Sequence, residues 1–289
     1  MRTWARALRL SLAPTVFWDV IAGTWLAGFA LQPQSFLLAL AVFCIWAAGM
    51  ALNDFADKEI DILAQRNRPV AQGEIARPKI FAVGLFLMVL GLGIIAVLPP
   101  TLQKPSLCLA GMVILYDLGG PAIRKSLGPL LLALCRCLAV VLGGLLFTQP
   151  QHLLQTPGPW PYLAYSFFLL FLSRLATHEE AGGSGMKLLP FLLGAGFAPL
   201  LLLQKAVDPF PTAVGWVCFF LFLLKPAWPI RHQAWSPATT QGMVRRGLST
   251  LPLLLALALL SEGAPLWQVS MGVFVFFSVR MLVSVFPPE

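Results

Sequence analysis

Charge is what this sequence of 289 residues has least of: 11% of its positions are Asp, Glu, Lys or Arg, and only 12 are acidic. A domain folding in water carries about a quarter charged residues. With 58% hydrophobic residues and a mean hydropathy of +0.81, a chain of this length cannot hide its apolar surface from water. Cysteine is also sparse. Cys44, Cys108, Cys135, Cys137 and Cys218 all fall inside apolar runs, with neither the number nor the spacing of a disulfide framework or a metal site. The net charge of +8 does not form an aromatic-interleaved basic patch, which argues against nucleic acid as a partner. Linkers and low-complexity tails are missing too, so residues 1–289 read as one domain.

What is present is a succession of apolar runs near the ~17 to 25 residues that a membrane-spanning helix needs. They lie near 10–31, 35–52, 79–98, 105–119, 128–148, 160–176, 187–204, 211–229, 247–262 and 265–286. The expected fold class is therefore all-α, an integral membrane bundle of nine or ten transmembrane helices embedded in the lipid bilayer. The first run is too long for a removable signal peptide and lacks a small-residue cleavage site.

Lys and Arg mark the side facing the cytoplasm. With the N-terminus inside, that side receives Arg2, Arg6, Arg9, Arg66, Arg68, Arg77, Lys79, Arg124, Lys125, Lys187, Arg231, Arg245 and Arg246. The opposite side receives Lys104 and Lys205. The chain is thus expected to be multi-pass with a cytoplasmic N-terminus, in a bacterial inner membrane. Polar residues gather after the second and sixth runs, and basic residues after the fourth and eighth. This hints at an internal repeat whose halves would meet at a central substrate cavity.

The clearest chemistry follows the second run, in Asn53-Asp54-Phe55-Ala56-Asp57-Lys58-Glu59-Ile60-Asp61. Asn53, Asp57 and Asp61 are spaced i, i+4, i+8 and would share one face of a continuing helix, with Asp54 beside them. Such a stripe of oxygens needs a counter-charge, and a hard cation such as Mg²⁺, which also bridges phosphate oxygens, suits it. Arg66 and Arg68 follow at once and can pair phosphate through parallel hydrogen bonds, so metal and arginine together describe a diphosphate pocket. The plainer reading is a solvated acidic loop balanced by those arginines, but ionisable residues this close to a span are usually functional.

Asn-Asp-x-x-Asp-x-x-x-Asp followed by Arg-x-Arg-Pro, over Asn53 to Pro69, resembles the first signature of the UbiA superfamily of intramembrane prenyltransferases. The resemblance implies a helical bundle around a cavity open toward lipid, with two Asp-rich motifs holding Mg²⁺ against a prenyl diphosphate. Asn53, Asp57 and Asp61 would then be the diphosphate-metal residues supported by Asp54, and Arg66 and Arg68 would contact phosphate. Tyr116 to Lys125 is similar to the family's stretch between its fourth and fifth helices, with the basic pair reversed. This makes Arg124 and Lys125 phosphate contacts, and equally well orientation anchors.

The family's second Asp-x-x-x-Asp motif is replaced here by Ser173-Arg174-Leu175-Ala176-Thr177-His178-Glu179-Glu180, ahead of Gly182-Gly183. Adjacent Glu179 and Glu180 point about 100° apart on a helix, so one of them, not a matched pair, would bind metal. Arg174 is a further phosphate candidate. The acidic pair before a Gly-rich turn is similar to the EboC-like branch of the superfamily, which implies a small cyclic acceptor, aromatic or cyclitol-like.

The implied reaction is Mg²⁺-dependent transfer of a prenyl group, with aromatic faces such as Trp18, Trp25 or Trp46 near the allylic cation and His178 as a candidate base. The rival reading is a non-catalytic carrier or transporter of prenyl lipids with a degenerate second motif. A CDP-alcohol phosphotransferase fits less well, because its Asp-Gly-x-x-Ala-Arg lead-in is missing. Asp19 and Arg136 lie inside spans and need partners or a polar cavity.

Overall fold

The computed structural model describes residues 2–63, 66–156, 158–179 and 181–285. The chain is an all-α membrane bundle. Helix α1 (Arg2–Ala7) leads through a 3-10 turn into α2 (Ala13–Leu26), and α3 (Pro33–Ala56) runs to the acidic cluster, which continues into α4 (Lys58–Leu63). Then come α5 (Arg77–Ala96), α6 (Gln103–Leu118), α7 (Gly120–Leu145), α8 (Pro150–Gln155) and α9 (Trp160–Ala176). The rest comprises α10 (Gly185–Phe197), α11 (Pro209–Leu224), α12 (Pro237–Ser249), α13 (Leu251–Ser261) and α14 (Leu266–Val285). Proline stands in the first turn of many of these helices, where a missing N–H costs nothing and φ is already helical.

By length and composition, among the described residues, Pro33–Ala56, Arg77–Ala96, Gly120–Leu145, Gly185–Gln204, Pro237–Ser261 and Leu266–Val285 are helical and apolar enough to cross a membrane. Leu10–Leu26 and Pro209–Leu224 are shorter apolar helices. The outer faces carry exposed Phe86 and Val89 on α5 and Phe274, Phe277 and Met281 on α14. In water such patches would be sticky, but against lipid tails they cost nothing.

Because lipid is as apolar as the bundle interior, helices associate through close packing, which small residues allow. Where α2 crosses α7, a Cβ on Gly23 would meet the Val140 carbonyl oxygen at 1.9 Å, and one on Gly143 would meet that of Val20 at 2.1 Å. Thr24 Oγ1 donates to the Gly143 carbonyl across the same contact, at 3.1 Å. Neither backbone can retreat independently. Gly23→Ala is expected to destabilise the protein by about 1–3 kcal/mol, the usual cost of overpacking. A lower melting temperature in detergent would show it; an unchanged one would mean that the crossing is looser than described.

Two helices begin earlier than the apolar runs indicate. α7 starts at Gly120 rather than near 128, because Gly120 at φ +84° turns the chain sharply and Pro121 initiates the next helix. Two extra turns result, and they carry Arg124 to the acidic cluster. α12 begins at Pro237 rather than near 247, with Ser236 accepting the Thr239 N–H at its start. Its polar residues hid the amphipathic pattern, whose buried face contains Met243, Val244 and Gly247. Beside it, Gly183 and Ser184 pair antiparallel with Trp235 and Ala234. Gly182, at φ +63°, approaches the Trp235 carbonyl so closely that a Cβ would lie 2.3 Å from it, which accounts for the Gly-rich turn.

Candidate active site

The helix carrying the acidic cluster bends at Asp57, and two backbone hydrogen bonds span the bend. α3 ends at Ala56, yet the Asp57 N–H donates to the Asn53 carbonyl and the Asp61 N–H to that of Asp57, at 2.9 and 2.8 Å. The i, i+4 stripe therefore survives the break. Asn53, Asp54, Asp57 and Asp61 are all buried, so the solvated-loop reading does not describe them. Burying three carboxylates together requires compensation, and arginines provide it. Arg68 Nη1 lies 3.1 Å from both Asn53 Oδ1 and Asp61 Oδ2, 3.5 Å from Asp54 and 3.8 Å from Asp57. Arg66 donates to Asp61 at 2.6 Å, and Arg124 reaches across from α7 to Asp57 at 2.5 Å.

This cluster closes one end of a cavity of about 540 Å³. α3 contributes Trp46, Met50 and Asn53; α7 contributes Arg124, Leu132 and Arg136; α9 contributes Leu169, Leu172 and Ser173. Among the described residues five arginines and three carboxylates, Asp57, Asp117 and Glu179, line it. Towards α13 the walls become apolar, with Val244, Leu248 and Leu251.

The other sequence candidates separate by position. Asn53, Asp57, Arg66, Arg68, Arg124 and Glu179 line the cavity, whereas Asp54 and Asp61 stand behind it as partners of the arginines. Lys125 and Arg174 are exposed and do not line it. Glu180 lies outside the described residues. Glu179 follows α9, and burial pushes its carboxyl up against the opposing pull of Arg9, Arg245, Arg66 and Arg68. Trp46 faces the cavity; Trp18 and Trp25 instead pack edge to face in the core, centroids 5.7 Å apart. His178 stacks on Phe191 at 6.0 Å and does not line the cavity.

Some cavity residues were not legible as such. Asp117 lines the cavity and has an Oδ1 with no hydrogen-bond partner among the described residues. Arg9 lines it as well, although in sequence it is indistinguishable from an orientation anchor. Deeper in the bundle, Arg136 Nε lies 2.9 Å from Asp19 Oδ2 while the Tyr165 hydroxyl donates to Asp19 Oδ1 at 2.6 Å, which supplies the partners that two intramembrane charges required.

Among the described residues no group of three or more His, Cys, Asp or Glu side chains converges as a metal site. The donor set nevertheless suits Mg²⁺, which commonly takes one or two carboxylates and completes its shell with water and substrate phosphates. Asp57, buried at the cavity edge, has both carboxylate oxygens turned to Arg124, so a metal ion would compete for the oxygens and a diphosphate for the guanidinium.

Comparison with known proteins identifies the family and the fold. Residues 16–242 match the model of the UbiA prenyltransferase family. Digeranylgeranylglyceryl phosphate synthase of Saccharolobus solfataricus is 29% identical over 199 residues, which cover 65% of this chain and 68% of that enzyme. A solved structure concerning digeranylgeranylglyceryl phosphate synthase in membranes shares the fold with a TM-score of 0.61 at 17% identity, over 94% of this chain and 98% of that one. A UbiA homologue of Archaeoglobus fulgidus, bound to DMAPP and Mg²⁺, does so with a TM-score of 0.51 at 15% identity, over 98% and 99%.

Proposed function

Since the chain belongs to the UbiA prenyltransferase family, we propose that it moves a prenyl group from a prenyl diphosphate to a small acceptor inside the membrane, with Mg²⁺ as cofactor. One observation carries this reading: a cluster of buried carboxylates and half-buried arginines closes the polar end of a cavity whose remaining walls are largely apolar. A diphosphate head and a prenyl tail need those two environments side by side. The A. fulgidus homologue binds DMAPP and Mg²⁺, which supports the same donor class here.

Asn53 and Asp57, with Asp61 behind them and Glu179 in the same cavity wall, would hold Mg²⁺, and Glu180 is the alternative to Glu179 as the second acidic ligand of the ion. When bound it neutralises charge on the diphosphate and favours its departure. The chain's own groups do the rest. Arg66, Arg68 and Arg124 offer forked donors to phosphate oxygens, which compete with the carboxylates for these guanidinium groups. Arg174 and Lys125 stand outside the cavity, where they would meet only an arriving head group. The apolar walls keep water from the allylic cation, and Trp46 and Tyr116 present aromatic faces to the chamber.

The whole chain, 1–289, acts as a single domain in a bacterial inner membrane with its N-terminus in the cytoplasm, so that the donor arrives from the cytoplasmic side. The acceptor is a small cyclic compound, aromatic or cyclitol-like. Likeness to the S. solfataricus synthase favours a second reading, a phosphate-bearing glyceryl compound.

The test is release of pyrophosphate from geranyl diphosphate by the purified protein in liposomes, with candidate acceptors supplied. Turnover is expected with Mg²⁺ and none after chelation with EDTA. Tight donor binding without turnover under any acceptor would instead identify a non-catalytic prenyl-lipid carrier.

A further inference from the structure

Arg246 on α12 and Arg280 on α14 converge on one aromatic ring, that of Phe222 on α11. The Arg246 guanidinium stands 3.9 Å from the ring centroid and that of Arg280 5.5 Å, with Arg280 also 5.7 Å from Phe276. The two guanidinium groups are therefore within roughly one Debye length of each other, about 10 Å in 0.1 M salt, and they repel. No carboxylate among the described residues pairs with either. Arg246 Nε donates to the Phe222 carbonyl at 2.8 Å, but that acceptor is neutral, and a π face is a weak substitute for a counter-ion. Three residues beyond Phe222, exposed Lys225 adds a third cation on the same side of α11.

A basic residue that only orients a span reaches into water by itself. These three instead gather where α11, α12 and α14 meet, and the surface around them is apolar: Leu221 beside Phe222, and Phe277 and Met281 beside Arg280, are exposed. The place is outside the catalytic chamber. Neither arginine lines the cavity, and α12 turns Val244 and Leu248 to it instead. In the proposed orientation the end of α11, the start of α12 and the last turns of α14 lie on the cytoplasmic side, where anionic lipids attract cations next to a span. We infer that this junction binds the phosphodiester of an anionic phospholipid, its acyl chains lying along α14. A zwitterionic lipid fits worse, because its own ammonium already neutralises the phosphate and would be pressed against three cations. The bound lipid ties α14, whose buried residues are Gly272, Phe276 and Val279, to α11 and α12.

The test is native mass spectrometry of the full chain, with phosphatidylglycerol and phosphatidylcholine of the same acyl chains offered in equal amounts, together with melting temperatures in each lipid. The wild type is expected to retain phosphatidylglycerol at least about tenfold better than phosphatidylcholine and to melt higher in it. Arg280→Gln should reduce the preference to about twofold or less and abolish the melting shift, and Arg280→Lys should keep part of both. In phosphatidylcholine Arg280→Gln should melt no lower than the wild type, because it removes a repulsion, which separates loss of the site from loss of the fold. Lys187→Gln, which removes an exposed cation on α10, should change neither readout. Equal retention of the two lipids by the wild type, a preference that survives Arg280→Gln, or an equal loss in Lys187→Gln would each overturn the inference, the last by reducing it to bulk attraction between charges. A melting shift from inorganic phosphate as large as that from phosphatidylglycerol would overturn the lipid as the source of the phosphate.

Discussion

Asp57→Asn is expected to lower prenyl transfer by about two to three orders of magnitude, comparable to removing one preorganised charge-stabilising group from an active site. Asp57 is the cluster's only carboxylate among the described residues that both lines the cavity and belongs to the i, i+4 stripe. It also holds Arg124 at 2.5 Å and so sets where that guanidinium meets the diphosphate. Asn keeps the volume and removes the charge, so two losses combine: a metal ligand becomes a weaker neutral donor, and Arg124 is left without its ion pair. If chemistry limits turnover, kcat falls more than the donor KM rises, because the lost interaction strengthens as the diphosphate departs. Steady-state kinetics on purified variants would show this. An Asp57→Asn enzyme with near-normal kcat would remove Asp57 from the reaction.

The second large effect is on stability. Asp19 is fully buried between Arg136 and Tyr165, with 117 residues of chain separating it from its ion-pair partner. Removing one member leaves the other charged and largely buried, and buried pairs broken in this way typically cost about 3–5 kcal/mol. Replacing both partners by apolar side chains is often neutral or stabilising. Asp19→Leu and Arg136→Leu are therefore each expected to lower the melting temperature in detergent sharply. The double variant should recover most of the loss, and adding Tyr165→Phe should recover more by removing the last unpaired donor. Single variants as stable as the double would mean that the pair is hydrated rather than dry.

The acidic cluster was legible in the sequence because a helical stripe is a local property: Asn53, Asp57 and Asp61 stay in register through the bend after Ala56 since backbone hydrogen bonds link each to the next. The all-helical membrane class was legible for a similar reason, as backbone groups in lipid must bond within their own segment. Contacts between distant segments were not legible. Arg66 and Arg68 were readable as charges that balance the acidic stretch, since they follow it closely, but Arg124 was not readable as the group that neutralises Asp57, because that requires knowing where α7 crosses α3. Arg9 looked like any other basic residue flanking a span, and only its left-handed backbone and its place in the cavity wall set it apart. α12 was hidden for a different reason: its polar face outweighs its buried one in any window tuned to continuous apolar runs.

The central claim is that the cavity beneath the cluster performs prenyl transfer. It is tested most directly by mass spectrometry of lipids from cells that carry the gene, lack it, or carry Asp57→Ala. A prenylated species present with the wild-type gene and missing from both of the others is the predicted result. Lipid profiles identical in all three would contradict it.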